Sequence, residues 1–184
     1  MELYIARHGE TEANVARIWQ GQGLDTPLTQ EGVNQAKILK KSLEGIEFDV
    51  IYSSPLKRAM DTARIVFGES AQLITDDRLM EIRLGEAEGS SYDGGGPLMV
   101  DPTAYIPPPG GETLPEMIAR IGSFLRELAE KPYSRVFALT HGYALKVVYA
   151  CSKDSSVQAL ADTPRYGNCA LERYIHNGTK WSLA

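Results

Sequence analysis

Apolar residues along this chain follow two rhythms. Short, nearly unbroken apolar runs at 2–6, 48–52, 73–75 and 136–139 read as strands, most of them buried on both faces. Between them, apolar residues recur every three or four positions, the mark of helices with one buried face. Val33, Ala36, Leu39 and Leu43 form one stripe, with Thr29 as its N-cap and Gly45 as its stop. Ala59, Thr62, Ala63 and Val66 form a second that runs to Gly68; Ser54 suits its N-cap and Pro55 its first helical position. Ile118, Ile121, Leu125 and Leu128 form a third, opened by the capping box Thr113-Leu114-Pro115-Glu116 and stopped at Lys131-Pro132. A fourth follows Gly142 and turns Ala144, Val147, Val148 and Cys151 toward the core. Residues 169–175 and 180–183 match a closing hairpin around Asn177-Gly178.

Strands alternating with helices predict an α/β fold, a three-layer α/β/α sandwich around a mostly parallel sheet. Two stretches escape both rhythms. Residues 12–28 are polar, contain Gly21, Gly23 and Pro27, and read as a loop with room for a short helix. Residues 83–111 contain Gly94-Gly95-Gly96 and Pro107-Pro108-Pro109-Gly110-Gly111. So long a loop in a compact domain is usually a lid or a binding segment. A tether between two domains is the competing reading. The part of the chain before it lacks a closing strand of its own, which favours a single domain over residues 1–184 with a lid-like loop.

Composition narrows the function classes. A length of 184 residues suits one domain with a sizeable core, and 43% hydrophobic with 23% charged residues is ordinary for a soluble protein. The net charge of −5 excludes a global basic field for nucleic acid, so any positive potential must be local. The two cysteines, Cys151 and Cys169, have no CxxC or Cys/His spacing for zinc and read as reduced thiols in a cytoplasmic protein. The N-terminus does not read as a signal peptide, and no apolar run is long enough to span a membrane. No heptad or exposed apolar stripe specifies an oligomer.

The chemistry gathers at strand ends. The first strand runs straight into Arg7-His8-Gly9, and the run at 136–139 into Thr140-His141-Gly142. Arg58 falls in the first turn of the helix after the second strand. Taken singly, each has a bland reading: a surface or capping pair, a solvated helix residue, a hydrogen-bonded core histidine. Together they meet at the C-terminal edge of an open α/β sheet, where ligands bind. Phosphate explains the set best. Guanidinium forks match phosphate oxygens, neighbouring cations keep an imidazole neutral, and a neutral imidazole can attack phosphorus. A metal hydrolase built on His8 and His141 is opposed by Arg7 and Arg58, whose fixed charges repel a divalent cation.

These residues carry a resemblance. The run from Arg7 through His8, Gly9, Glu10 and Thr11 to Asn14 resembles the signature of the histidine phosphatase superfamily, the phosphoglycerate-mutase-like proteins. Asp25-Thr26-Pro27-Leu28-Thr29 with Gly32 is similar to the family's next block, and Ser53-Ser54-Pro55-Leu56-Lys57-Arg58-Ala59 to the block bearing the second arginine. Leu79-Met80-Glu81 with Gly85 and Glu88-Gly89, then Gly110-Gly111-Glu112-Thr113, then Thr140-His141-Gly142, complete the series in the family's order. The resemblance implies that His8 becomes phosphohistidine, that Arg7, Arg58 and His141 surround the phosphoryl group, that Asn14 and the Gly142 backbone bind phosphate, and that Glu81 protonates the leaving alcohol. Glu10, Glu12, Glu86, Glu88 and Glu112 compete for that last role. The chain departs from the family pattern at Gln20-Gly21-Gln22-Gly23, where either Gln-Gly pair fits, and at Ala87, where an aromatic is common; Tyr92 or Tyr105 would then wall the pocket.

The expected activity is hydrolysis of a small-molecule phosphomonoester, without metal or organic cofactor and without nucleic-acid or membrane partners. Phosphoglycerate-mutase-type transfer is the alternative. Family mutases are usually longer than this chain, which favours hydrolysis. A catalytically dead binding module is disfavoured by the intact set Arg7, His8, Arg58, Glu81 and His141. Specificity is expected from 19–24 and 92–112.

Overall fold

A computed structural model of the chain describes residues 1–92 and 101–184. The triglycine at 94–96 lies outside the described residues. Six strands form one sheet: β1 (Glu2–Arg7), β2 (Val50–Ser53), β3 (Leu73–Thr75), β4 (Arg135–Thr140), β5 (Leu171–His176) and β6 (Trp181–Leu183). Their order is β3-β2-β4-β1-β5-β6. The first four in that order are parallel; β5 and β6 add on antiparallel as the expected hairpin.

The apolar runs alternate between two cores, as strands buried on both faces must. On β1, Leu3 and Ile5 enter one core and Tyr4 and Ala6 the other; on β4, Val136 and Ala138 oppose Phe137 and Leu139 in the same way. The first core is filled by α4 (Leu114–Ala129) and α5 (Gly142–Lys153), through Met117, Ile121, Phe124, Leu145 and Val147. The second is filled by α2 (Gln30–Ser42) and α3 (Lys57–Phe67), through Ala36, Leu39, Ala59, Ala63 and Val66. This is the expected α/β/α sandwich. The room left in 12–28 holds a single turn, α1 (Glu12–Val15). Among the described residues no helix is long and apolar enough to cross a membrane.

Register delivers the site. Insertion of β4 between β1 and β2 pairs Arg7 with Thr140 and Ser53 with Leu139. Beyond the strand ends, the His8 amide still donates to Thr140 O at 3.0 Å and the Ser54 amide to Leu139 O at 2.9 Å. His8, Ser54 and His141 therefore stand side by side on one sheet edge.

The helix caps divide in an instructive way. Thr29 caps α2 and Thr113 with Glu116 caps α4, as the local sequence predicts. The expected cap of α3 is wrong. That helix begins at Lys57, not Pro55, and Leu56 occupies the cap position without a side-chain bond. The carboxylate of Asp25 takes the Lys57 and Arg58 amides instead, from 32 and 33 residues away. Ser54 is released for another partner.

Candidate active site

His8 follows β1 and is 2% exposed. Its Nδ1 lies 2.7 Å from Gly9 O. A carbonyl only accepts, so Nδ1 carries the proton and Nε2 carries the lone pair. Burial, then the Arg58 and Arg7 charges, push the His8 pKa well below its usual value, which keeps the ring neutral. The loop behind it is fixed from α3: the Gly9 amide donates to Thr62 Oγ1, whose hydroxyl donates to Arg58 O. Gly9 also packs so tightly that a Cβ there would stand 2.6 Å from Gly32 O.

Arg58 is 1% exposed and is gripped from the other side of the cleft. Its Nη1 meets Asp25 at 2.9 Å and Leu24 O at 3.2 Å, and its Nη2 donates to Gly21 O at 2.7 Å. Asp25 thus starts the helix and neutralises the arginine with one carboxylate. Gly21 takes φ +56°, and a Cβ there would run into the Glu88 carboxylate. Glu88 gathers the amides of Gln22, Gly23, Leu24 and Leu84, tying the 20–25 loop to the 83–92 segment. Arg7, the second cation, donates from Nη1 to Tyr166 O at 2.8 Å.

His141 is fully buried, and its ring centroid lies 5.1 Å from that of His8. Its Nε2 is 2.7 Å from Ser54 Oγ. That hydroxyl already accepts from the Leu56 amide at 3.3 Å, so its proton is available to Nε2. The arrangement places the His141 proton on Nδ1. Burial, then Arg58, His8 and Arg7, hold this ring neutral as well. Among the described residues, three buried donors near His8 have no acceptor: Arg7 Nε, Arg58 Nε and His141 Nδ1. Both guanidiniums are close enough to act electrostatically on both imidazoles.

The cavity in front of His8 has a volume of about 240 Å³. Arg7, His8, Asn14, Arg58, Glu81 and Gly142 all stand on its wall; His141, with its ring 5.1 Å from that of His8, is not among the wall residues. Asn14 Oδ1 accepts from the Thr11 amide and from Asn168 Nδ2, each at 3.1 Å, which leaves its own amide group to donate. Gly142 opens α5, where a helix amide lacks an intrahelical acceptor.

Tertiary contacts engage three of the competing carboxylates. Glu10 accepts from Thr29, Glu88 holds the loop, and Glu112 forks with Arg120. Among the described residues Glu81 is the one carboxylate on the cavity wall. It receives the amides of Ile82, Tyr143 and Ala144, so it sits against the start of α5. Arg120 bonds the carbonyls of Met80 and Glu81 at 2.8 and 3.0 Å and thereby fixes the segment carrying it.

The two open positions also resolve. Gln20 and Gly21 line the cavity, whereas Gln22 turns away to bond Glu81 O at 2.8 Å. Tyr92 lines the cavity and packs on Trp19 at 5.0 Å between centroids; Tyr105 joins the core instead. Sequence reasoning missed Asp25 and Arg120 as supports, Ser54 as the partner of His141, and Ile18, Tyr143, Lys146 and Arg165 as wall residues. A buried lysine on an otherwise apolar helix face was the one available signal.

Comparison with known proteins gives the family. Residues 3–184 match the family model of the histidine phosphatase superfamily (branch 1). The chain is 34% identical over 172 residues to a Danio rerio protein named fructose-2,6-bisphosphatase TIGAR B, covering 87% of this chain and 63% of that one, so it spans under two thirds of that relative. It is 32% identical over 191 residues to the Proteus mirabilis protein named "Probable phosphoglycerate mutase GpmB", covering 98% of this chain and 87% of that one. Its structure is similar to that of a mycobacterial glucosyl-3-phosphoglycerate phosphatase, with a TM-score of 0.88, 29% identity, and coverage of 100% of this chain and 96% of that one. With a match running from β1 to β6 and both histidines standing beyond adjacent parallel strands, the chain belongs to the histidine phosphatase superfamily.

Proposed function

We propose that this protein is a cytoplasmic phosphomonoesterase that acts on a small phosphorylated molecule through phosphohistidine at His8, without metal or organic cofactor. The observation that carries the reading is the trio of buried, acceptorless donors, Arg7 Nε, Arg58 Nε and His141 Nδ1, beside a neutral imidazole with a free Nε2. Buried polar groups are paired in nearly all native structures, so such a trio calls for an anion. A phosphoryl group supplies the missing acceptors, and its charge is stabilised by donors that need not reorganise.

In the first half-reaction the His8 Nε2 lone pair forms the N–P bond. The P–O bond to the alcohol breaks, and the departing oxygen takes a proton from the Glu81 carboxyl group. In the second, water attacks phosphorus, the N–P electron pair returns to Nε2, and Glu81 accepts the proton that the water loses. Arg7, Arg58, His141, Asn14 and the Gly142 amide hold the phosphoryl oxygens throughout. The cavity volume of about 240 Å³ suits a small substrate. The zebrafish and mycobacterial relatives bear the names of phosphatases, which supports hydrolysis, and the Proteus mirabilis relative bears the name of a mutase, which keeps transfer as the second reading.

The test is rapid quenching with labelled substrate. Wild type is expected to yield an acid-labile, base-stable phosphoenzyme and to release inorganic phosphate, and His8→Ala to yield neither while staying folded. Turnover by His8→Ala would overturn the covalent role. Transfer of the label to a second phosphoglycerate, in place of phosphate release, would make the protein a mutase.

A further inference from the structure

The cavity holds two more cations that phosphoryl transfer at His8 does not use. Lys146, on α5, is 8% exposed, and both it and Arg165 stand on the cavity wall. The Lys146 ammonium lies 5.7 Å from the centroid of the Tyr143 ring. Among the described residues, neither Lys146 nor Arg165 has a carboxylate partner. Burial, and then the Arg165 charge, lower the Lys146 pKa, so the two cations sit close enough to repel. Glu81, the one wall carboxylate among the described residues, is engaged by three backbone amides.

A buried lysine beside a second cation, with no carboxylate partner among the described residues, is costly in a protein that has nothing to put there. Much of the remaining wall is apolar, with Ile18, Trp19, Ile82 and Leu84 among its residues. An anion entering such a place is attracted more strongly than one at an open surface.

We propose that Lys146 and Arg165 form a second anion subsite, and that the substrate carries a second anionic group, a carboxylate or a phosphate, on the part that leaves as the alcohol. The inference rests on the phosphomonoesterase reading, which seats the transferring phosphoryl group at His8 and leaves the rest of the cavity to the remainder of the substrate.

The test uses the whole chain and three matched ligand series with short carbon spacers. One series is neutral alkyl phosphates, one ends in a carboxylate, and one ends in a second phosphate. In wild type, at least one anionic series is expected to exceed its neutral counterpart in kcat/KM by about tenfold or more. Arg165→Met, at an exposed position, is expected to lower that ratio by about threefold, and Lys146→Met with Arg165→Met to bring it near one. The carboxylate and phosphate arms identify which anion is preferred. Phosphonate counterparts, which are not hydrolysed, give the same comparison by titration calorimetry. Absence of turnover on every phosphomonoester would therefore defeat the phosphomonoesterase reading while the subsite is still judged by binding. Ratios near one in wild type for both anionic series, or ratios that Arg165→Met and the double variant leave unchanged, overturn the subsite.

Discussion

Replacing Ser54 by alanine tests how the second histidine is set. Ser54 Oγ lies 2.7 Å from His141 Nε2, accepts from the Leu56 amide at 3.3 Å, and is fully buried together with His141. Alanine removes one oxygen and strands two partners. Leaving a buried partner unpaired costs about 1–3 kcal/mol. For a chain of this length that lowers Tm by roughly 2–4 °C per kcal/mol. The catalytic effect is separate from this loss. Without the hydroxyl, nothing dictates which His141 nitrogen holds the proton, and part of the population turns a lone pair toward the phosphoryl oxygens. Losing one positioned oxyanion donor outright costs about 10²–10³ in kcat, so a partial loss is expected to cost about 10–100-fold. The assays are kcat on 4-nitrophenyl phosphate, urea unfolding, and the ¹⁵N shifts of the His141 ring. Ser54→Cys, whose thiol is a weaker donor, is expected to fall between serine and alanine in all three. If Ser54→Ala loses stability but keeps kcat within about threefold where it remains folded, the tautomer argument is refuted and Ser54 is only a structural contact.

Glu81→Gln is expected to harm alkyl phosphate hydrolysis far more than nitrophenyl phosphate hydrolysis, because only the alkoxide needs a proton to leave; equal loss on both would remove Glu81 as the acid. Arg58→Ala should cut kcat/KM by more than about tenfold, or 1.4 kcal/mol, with Arg58→Lys rescuing only in part, since a lysine cannot copy the fork held by Asp25 and Gly21. Wild-type rates for Arg58→Ala would show that its unpaired Nε serves no ligand. Stability should depend on pH through His8 and His141, whose folded pKa values lie well below the usual 6.5. The unfolded chain then binds protons that the folded chain refuses, so this contribution is complete above about pH 6.5 and is lost as pH falls, by up to about 1.4 kcal/mol per pH unit for each histidine. Urea midpoints between pH 5 and 8 should show that slope, with His8→Ala removing about half of it; a flat wild-type profile over the range would mean the rings are not held neutral.

The fold was largely legible in the sequence because its determinants are local. Strands buried on both faces show as short apolar runs, and helices as stripes of three-and-four spacing. Thr29 and Thr113 cap helices with their own first-turn amides, so a window of four residues suffices to find them. Their places just past the ends of strands in a parallel sheet were enough to gather Arg7, His8, Arg58 and His141 at one edge. What remained hidden depends on partners far apart in the chain. Asp25 starts α3 and clamps Arg58 across 33 residues, and nothing near Ser54 marks it as the loser of that role. Ser54 then meets His141 across 87 residues because β4 is inserted between β1 and β2, a pairing that no local pattern specifies. The choice of Glu81 over Glu10, Glu88 and Glu112 is of the same kind. All are carboxylates in motif blocks, and only the folded chain assigns three of them to a hydroxyl, a loop and an arginine and leaves one facing the cavity. Local sequence sets backbone conformation and burial over a few residues. Hydrogen-bond partners and charge pairs are set by which elements the completed sheet brings together.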